Sequence, residues 1–290
     1  MKTIIVPKKY NEKKLNSFLF DNFNGLTNNT LHKALRKKDI RINNIKVSEN
    51  QTIYEGDEIK VYIVDNLLYK TEVIEKIYED ENIVVFNKPV DIEVTGENSL
   101  EKYAKKMYED EFIAPCHRLD RNTTGLVLFA RNEKSLEILL EKFKNHTITK
   151  HYKCIVLGIP KVEKQILESY LFKDNKKSLV YISDTPKTGY RKIITEYKVV
   201  KKDYEKNLSL LDVVLHTGRT HQIRAHLAHI GHSVLGDGKY GVNEINKKFR
   251  LKNQQLCSYA LEFNFSGEKC ELSYLDKMKI QLNKLPFEIF

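Results

Sequence analysis

The sequence predicts an α+β protein of two unequal parts, a small α/β module over residues 1–65 and a larger domain over residues 75–290, with a linker at 66–74. Three observations carry this. A length of 290 residues suits one large or two unequal domains. The first part reads as two short helices followed by short strands, whereas the remainder alternates apolar strands with amphipathic helices. The composition, 41% hydrophobic and 30% charged, is that of an ordinary globular chain. At this length folding buries roughly three quarters of the chain's surface, so neither disulfides nor a metal is needed to hold the core.

In the small module, Leu15, Phe18, Leu19 and Phe23 recur at helical spacing across residues 13–24. Thr27 is placed to cap a second helix running through Leu31 and Leu35. Asn43-Asn44 between Ile42 and Ile45 predicts a tight hairpin, and Glu55-Gly56-Asp57 predicts a turn before the alternating strand Ile59, Val61, Ile63. Lys33, Arg36, Lys37, Lys38 and Arg41 cluster here with only Asp39 opposing them. A charge run is most often a solvated helix face. Over residues 13–64, however, two short helices, the Arg41-Ile42-Asn43-Asn44-Ile45-Lys46-Val47 hairpin and Gly56-Asp57-Glu58-Ile59 closely resemble the alpha-L RNA-binding module. That resemblance implies that the five cations meet RNA.

In the larger part, Ile83-Val84-Val85-Phe86 predicts a short buried strand ending at Asn87-Lys88-Pro89. The fully apolar run 126–130 predicts a central strand. Asn132 is placed to cap a helix whose face is Leu136, Leu139, Leu140 and Phe143. Strands are expected at 151–157 and 207–216, and a short helix from Thr220 with Ile223, Leu227 and Ile230 on one face and Gly231 as its stop.

Charge narrows the partners. Lys and Arg outnumber Asp and Glu by 49 to 39, a formal charge of +10. Such a surplus serves solubility, and it also favours a polyanion through counterion release. Cys116, Cys154, Cys257 and Cys270 are scattered, without a zinc or disulfide pattern, which fits free thiols in the cytoplasm. The apolar run near the N-terminus is too short for a signal peptide, and no stretch approaches the ~18 apolar residues of a membrane span.

The most informative segment is Cys116-His117-Arg118-Leu119-Asp120-Arg121-Asn122-Thr123-Thr124-Gly125, which feeds the apolar strand at 126–130. Site residues collect in such polar loops, although a lone loop aspartate is ordinarily a turn residue. Followed by the strand and Ala130-Arg131, this segment closely resembles the signature of RluA-type pseudouridine synthases. Three further segments fall in that family's order: Asn87-Lys88-Pro89, Tyr152 within Lys150-His151-Tyr152-Lys153, and Thr217-Gly218-Arg219-Thr220-His221-Gln222-Ile223-Arg224-Ala225-His226. With Gly236-Asp237 and Tyr240-Gly241 the similarity runs from about residue 75 to 265. One departure is Asp91, where the family has glycine; aspartate also tolerates turn geometry.

The resemblance implies a catalytic domain with a mixed, mostly antiparallel sheet and flanking helices. It implies that Asp120 is the catalytic carboxylate, that Tyr152 lies against the uracil, and that Arg219 is the arginine partner of Asp120. Arg118 would fill the gap left by a flipped-out base. His117, Arg121, Thr124, Lys88, Thr220, His221 and Arg224 would contact substrate. Read without the resemblance, Tyr152 is a strand residue packing in the core and Arg219 a surface phosphate contact. The turn opening the helix at Thr220 offers backbone N–H groups as a phosphate seat.

The chemistry suits one carboxylate. The C–N glycosidic bond breaks, the uracil turns and rejoins through carbon, without redox change or outside group, so no cofactor or metal is implied. A carboxylate charged at neutral pH acts as nucleophile or as base at the sugar, and adduct and glycal routes both stay open. His216, His221, His226, His229 and His232 invite a metal reading, but no carboxylate or cysteine sits beside them at ligand spacing, and Arg219 and Arg224 oppose a cation. The expected partner is large-subunit ribosomal RNA, with transfer RNA as runner-up, and the expected state is a monomer. A non-catalytic RNA-binding or ribosome-assembly protein is opposed by the presence of Asp120, Tyr152 and Arg219. A glycoside hydrolase would need a second catalytic carboxyl group, for which the sequence offers no motif.

Overall fold

A computed structural model of the chain describes residues 1–69, 74–109 and 111–288. The chain divides into two units, Met1–Val73 and Ile74–Phe290.

In the smaller unit, helices Leu15–Asn22 and Asn28–Lys37 pack on an antiparallel sheet ordered Lys2–Ile5, Glu58–Val61, Ile40–Ile42, Ile45–Lys46. Thr27 caps the second helix, its hydroxyl accepting from the Thr30 N–H at 3.2 Å. Asn43 and Asn44 both adopt left-handed backbone, φ 50° and 65°, the geometry that a two-residue hairpin requires. The Asn43 side chain then donates to Asp57 at 2.8 Å, tying this turn to the neighbouring one. Leu15, Phe18, Leu19, Leu31, Leu35, Ile59 and Val61 are buried in one core, as their spacing predicts. The linker expected from residue 66 begins inside this unit. Asp65–Leu68 is a helical turn, Leu68 is fully buried, and its carbonyl accepts from the Gly25 N–H at 2.8 Å. Residues 70–73 of that linker lie outside the described residues.

The larger unit is built on an 11-stranded sheet. Its main path runs Leu179–Ser183, Lys164–Asp174, Arg191–Asp203, Leu208–Leu215, Ile148–Leu157, Leu256–Phe263, Thr124–Ala130, Ile83–Lys88, Lys76–Glu79. Among the described residues its neighbouring strands are antiparallel except Thr124–Ala130 with Leu256–Phe263, so the sheet is mixed and mostly antiparallel. The uninterrupted apolar strands are explained by cores on both faces. Val84, Phe86, Val127 and Phe129 enter one core, while Ile83, Val85, Leu126 and Leu128 enter the other.

Asn132 caps helix Glu133–Lys144, its side chain accepting from the Ser135 N–H at 2.8 Å. Of that helix's expected face, Leu139 is buried and Leu136 and Phe143 pack partly, but Leu140 is 48% exposed. The apolar face is narrower than the periodicity suggests. Helix Gln222–His229 buries Ile223 and Leu227, and Gly231 follows it in left-handed backbone, φ 84°. Among the described residues no helix is long and apolar enough to cross a membrane.

Candidate active site

The loop carrying Asp120 is fixed before it reaches the cleft. The Cys116 N–H donates to the Leu128 carbonyl at 2.9 Å, and the Leu128 N–H donates to His117 Nε2 at 3.1 Å. At the loop's end Gly125 has φ 107°, and a Cβ there would stand 2.1 Å from the Ser258 carbonyl oxygen. Only glycine lets the two parallel strands meet this closely. Asp120 projects into an open cleft of about 310 Å³ whose polar lining includes Arg118, Lys150, Tyr152, Arg219, His221 and Arg224. Leu119, Leu215, Ile223 and Leu256 supply its apolar wall. Among the described residues Asp120 is the one carboxylate in that lining.

Its partner is Arg224. Arg224 Nη1 donates to Asp120 Oδ2 at 2.9 Å, while Nε and Nη2 form a fork onto Asp237 at 2.6 and 2.9 Å. Asp237 is fully buried and also accepts from the backbone N–H groups of Lys239 and Tyr240 at 2.8 and 3.1 Å. Burial alone would raise the Asp237 carboxyl, but the Arg224 fork and these N–H groups outweigh it and hold it below the ordinary carboxylate value. The guanidinium is thus locked by a buried anion on one side and presents one N–H to Asp120 on the other.

His221 stands beside this pair, Nε2 at 4.0 Å from Asp120 Oδ2, on left-handed backbone of φ 53°. Its Nδ1 lies 2.8 Å from the Tyr240 hydroxyl, which accepts from the Val180 N–H at 2.9 Å. Burial lowers His221 to about 4, against the opposing pull of Asp120, so the ring is neutral at pH 7. Of the two neutral tautomers, the one whose Nδ1 accepts from the Tyr240 hydroxyl carries its proton on Nε2, facing Asp120. The cleft therefore offers an anchored anion beside a neutral imidazole.

Tyr152 is 5% exposed and lines the cleft on strand Ile148–Leu157. The register with Leu256–Phe263 shifts between His151 and Tyr152, the extra residue of the bulge being Tyr259 on the partner strand. Burial, reinforced by the Asp120 charge, pushes its phenol well up, so it stays protonated at neutral pH.

The family model for RNA pseudouridylate synthase matches residues 82–229. An uncharacterized RNA pseudouridine synthase of Chlorobaculum parvum is 32% identical over 260 residues, covering 82% of this chain and 78% of that protein. The chain belongs to the RNA pseudouridylate synthase family. Ribosomal large subunit pseudouridine synthase C of Rickettsia bellii is 32% identical over 244 residues, covering 76% of this chain and 80% of that protein. The solved human RNA pseudouridylate synthase domain containing 1 shares the fold, with a TM-score of 0.59 and 22% identity over 68% of this chain and 81% of that one. The synthase isomerises uridine to pseudouridine in RNA.

Several residues expected in the site of this synthase are placed otherwise. Arg219 lines the cleft but makes no ion pair with Asp120; Arg224, expected only to contact substrate, does. The reason is helical geometry: Arg224 lies within Gln222–His229 and points at the loop, whereas Arg219 precedes the helix and is exposed. The Arg219 N–H donates to the Gln222 side chain at 3.0 Å, so it is not free as a phosphate donor. Lys88 is fully buried, and its ammonium donates to the carbonyls of Pro89, Ile92 and Arg121 at 2.7, 2.9 and 2.9 Å. It braces the chain next to Asp120 and is not part of the cleft lining.

Arg121 is outside the cleft lining and donates to the Asp91 carbonyl at 3.2 Å. Asp91 itself has φ 65°, which explains why glycine suits that position. The Thr124 hydroxyl donates to the Leu256 carbonyl at 3.3 Å, and its neighbour Thr123 lines the cleft instead. His117 lines the cleft, but its Nε2 is used by Leu128. Arg118, Thr220 and His221 line it.

The five histidines from 216 to 232 each take a separate partner: Glu196, Tyr240, Thr195, Asp184 and the Leu157 carbonyl. Lys150 was not anticipated. Its signal was available, since it lies two residues before Tyr152 and residues i and i+2 share a strand face. Asp237 and Tyr240 were visible only as motif residues. Their roles depend on contacts across 13 and 19 positions of sequence.

Proposed function

We propose that this synthase acts on large-subunit ribosomal RNA, with Asp120 as its catalytic carboxylate. The observation that carries the site assignment is the Arg224 bridge, which spends a buried Asp237 on holding a single cleft carboxylate in place. Relatives at about 30% identity over most of the chain, among them that of Rickettsia typhi, are named ribosomal large subunit pseudouridine synthase C, which supports ribosomal over transfer RNA.

In this reading a uridine leaves its stack and enters the cleft, with Arg118 occupying its former place. Asp120 acts at the ribose as the C1′–N1 bond breaks. The uracil turns, C1′ bonds to C5, the C5 proton is lost and N1 gains a proton. Atoms balance without a donor. Adduct and glycal routes both use the carboxylate held by Arg224. The protonated Tyr152 lies against the uracil, and neutral His221 presents a donor. The enzyme works in a reducing cytoplasm, in keeping with its four free cysteines, as a monomer and without cofactor. The N-terminal unit is an RNA-binding module whose cations Lys33, Arg36, Lys37 and Lys38 are exposed.

The test is mapping of pseudouridine in ribosomal and transfer RNA from cells with the gene, without it, and with Asp120→Asn. Loss of one or more ribosomal sites in both altered strains is expected. Loss confined to transfer RNA overturns the substrate, and unchanged maps overturn the proposal.

A further inference from the structure

A second cleft of about 270 Å³ adjoins the catalytic one, and the two share Arg219 and Thr220 in their walls. Its remaining lining is Leu171, Phe172, Lys173, Gly189 and Arg191, from strand Lys164–Asp174 and the segment opening Arg191–Asp203. Phe172 is 38% exposed, on a strand beside Lys173. It is held rather than loose: it stacks on Tyr190 at 5.4 Å and 27° between planes. Gly189 lies beside the ring on left-handed backbone, φ 81°.

The cations around this ring lack counter-charges. Among the described residues none of Lys173, Arg191 and Arg219 enters an ion pair, although Lys192 next in sequence pairs with Glu168 at 2.6 Å. Three unpaired cations around a rigid, half-exposed aromatic face ask for a ligand that is both planar and anionic. A nucleotide has both properties, the base as a π-face and the phosphate as the charge. An apolar peptide would leave the cations unused, and an acidic peptide would leave the ring unused.

We propose that this second cleft is a subsite for a nucleotide flanking the target uridine, its base stacked on Phe172 and its phosphate held by Arg191, Lys173 and Arg219. The proposal rests on the synthase reading of the first cleft. The shared wall makes Arg219 the hinge between the two subsites. That role accounts for an exposed arginine in a motif whose other arginine, Arg224, is buried against the carboxylates. Single-stranded RNA entering the catalytic cleft is thereby gripped one nucleotide away from the reacting base, and sequence tolerance follows because any base offers a π-face.

The probe is a stem-loop RNA with an all-uridine loop, together with versions carrying one abasic ribose at each loop position. Binding to the full chain is measured by fluorescence anisotropy across a salt series. Phe172→Ala is expected to weaken binding about 5- to 100-fold, and Phe172→Tyr to retain it. One abasic position is expected to cost the wild type a similar factor and to cost Phe172→Ala nothing further. Arg191→Ala is expected to shallow the logarithmic salt dependence by about 0.7, one single-strand phosphate contact. Thermal melting of Phe172→Leu, which keeps bulk without a π-face, separates folding from stacking: a variant that melts like wild type yet binds like Phe172→Ala supports the subsite. Equal binding by wild type and Phe172→Ala, or strictly additive losses with every abasic position, overturns it. Failure of the synthase reading shows differently, as a wild type that binds the probe but forms no pseudouridine in ribosomal transcripts.

Discussion

The catalytic cleft and the basic edge of the N-terminal unit both gather charge, and they do so in opposite ways. At Asp120 one buried guanidinium spans two carboxylates, and three of its N–H groups have fixed acceptors. At the N-terminal edge Lys33, Arg36, Lys37 and Lys38 are exposed. The ion pairs of that unit are Lys2 with Asp65 and Lys60 with Glu58, so among the described residues the cluster has no acidic partner. Desolvated charges fix geometry, because misplacing them is costly. Exposed charges attract a polyanion from a distance and are screened by salt. The proposed function gives chemistry to the first region and affinity to the second, and each assignment can be broken.

The largest effect should come from Arg224→Met. It leaves Asp237 buried and unpaired, which costs about 3–5 kcal/mol in urea unfolding. It also frees the Asp120 side chain, with kcat expected to fall about 10²- to 10³-fold. Arg224→Lys, which keeps charge without the fork, should recover part of the stability and little of the rate. A variant as stable and active as wild type would remove the buried lock from the account.

Next in size is an acid limb of stability. Burial lowers His117 to about 3 and His221 and His226 to about 4, whereas an unfolded histidine titrates near 6.5. Between about pH 4 and 6.5 the unfolded chain therefore binds protons that the folded chain refuses, and stability must rise with pH across that window. Below about pH 4 the His221 and His226 penalties are fully present, and that of His117 grows on to about pH 3. Urea midpoints across this range should show the rise, and His226→Gln should reduce the slope by about one proton. A flat profile would contradict the burial of these rings.

The basic edge should yield a smaller and purely binding effect. Replacing Lys33, Arg36, Lys37 and Lys38 by serine is expected to raise KM about tenfold at physiological salt and to shallow its salt dependence, leaving kcat unchanged. A fall in kcat at saturating RNA would blur the division between the two regions. The smallest effect is expected for Tyr240→Phe, which removes two hydrogen bonds, about 1 kcal/mol each, and releases the His221 ring. A several-fold loss in kcat with KM unchanged would show that the tautomer matters; an equal loss in both would assign Tyr240 to packing alone.

How much of this was legible in the sequence varies with the range of the interaction involved. Local signals held: the Thr27 and Asn132 caps, the Asn43-Asn44 hairpin and the apolar run at 126–130 depend on neighbours a few residues away. The helix face at 133–144 was overdrawn at Leu140, because periodicity gives a direction and not the width of the surface that covers it. At the site, the ordered motifs identified the loop and the helix. They could not tell which arginine of Thr217–His226 turns toward Asp120, since that depends on where the helix begins. Lys88 misled for a related reason. A lysine in a loop motif reads as a substrate cation, and only the three carbonyls converging on it reveal a brace.

The central claim, that Asp120 is the catalytic carboxylate, is tested most directly by single-turnover pseudouridine formation on a ribosomal transcript with Asp120→Asn at saturating enzyme. The amide can still accept from Arg224, so the fold and RNA affinity should persist while the rate falls by about 10⁴-fold or more. A variant that forms pseudouridine within tenfold of the wild-type rate would contradict the account.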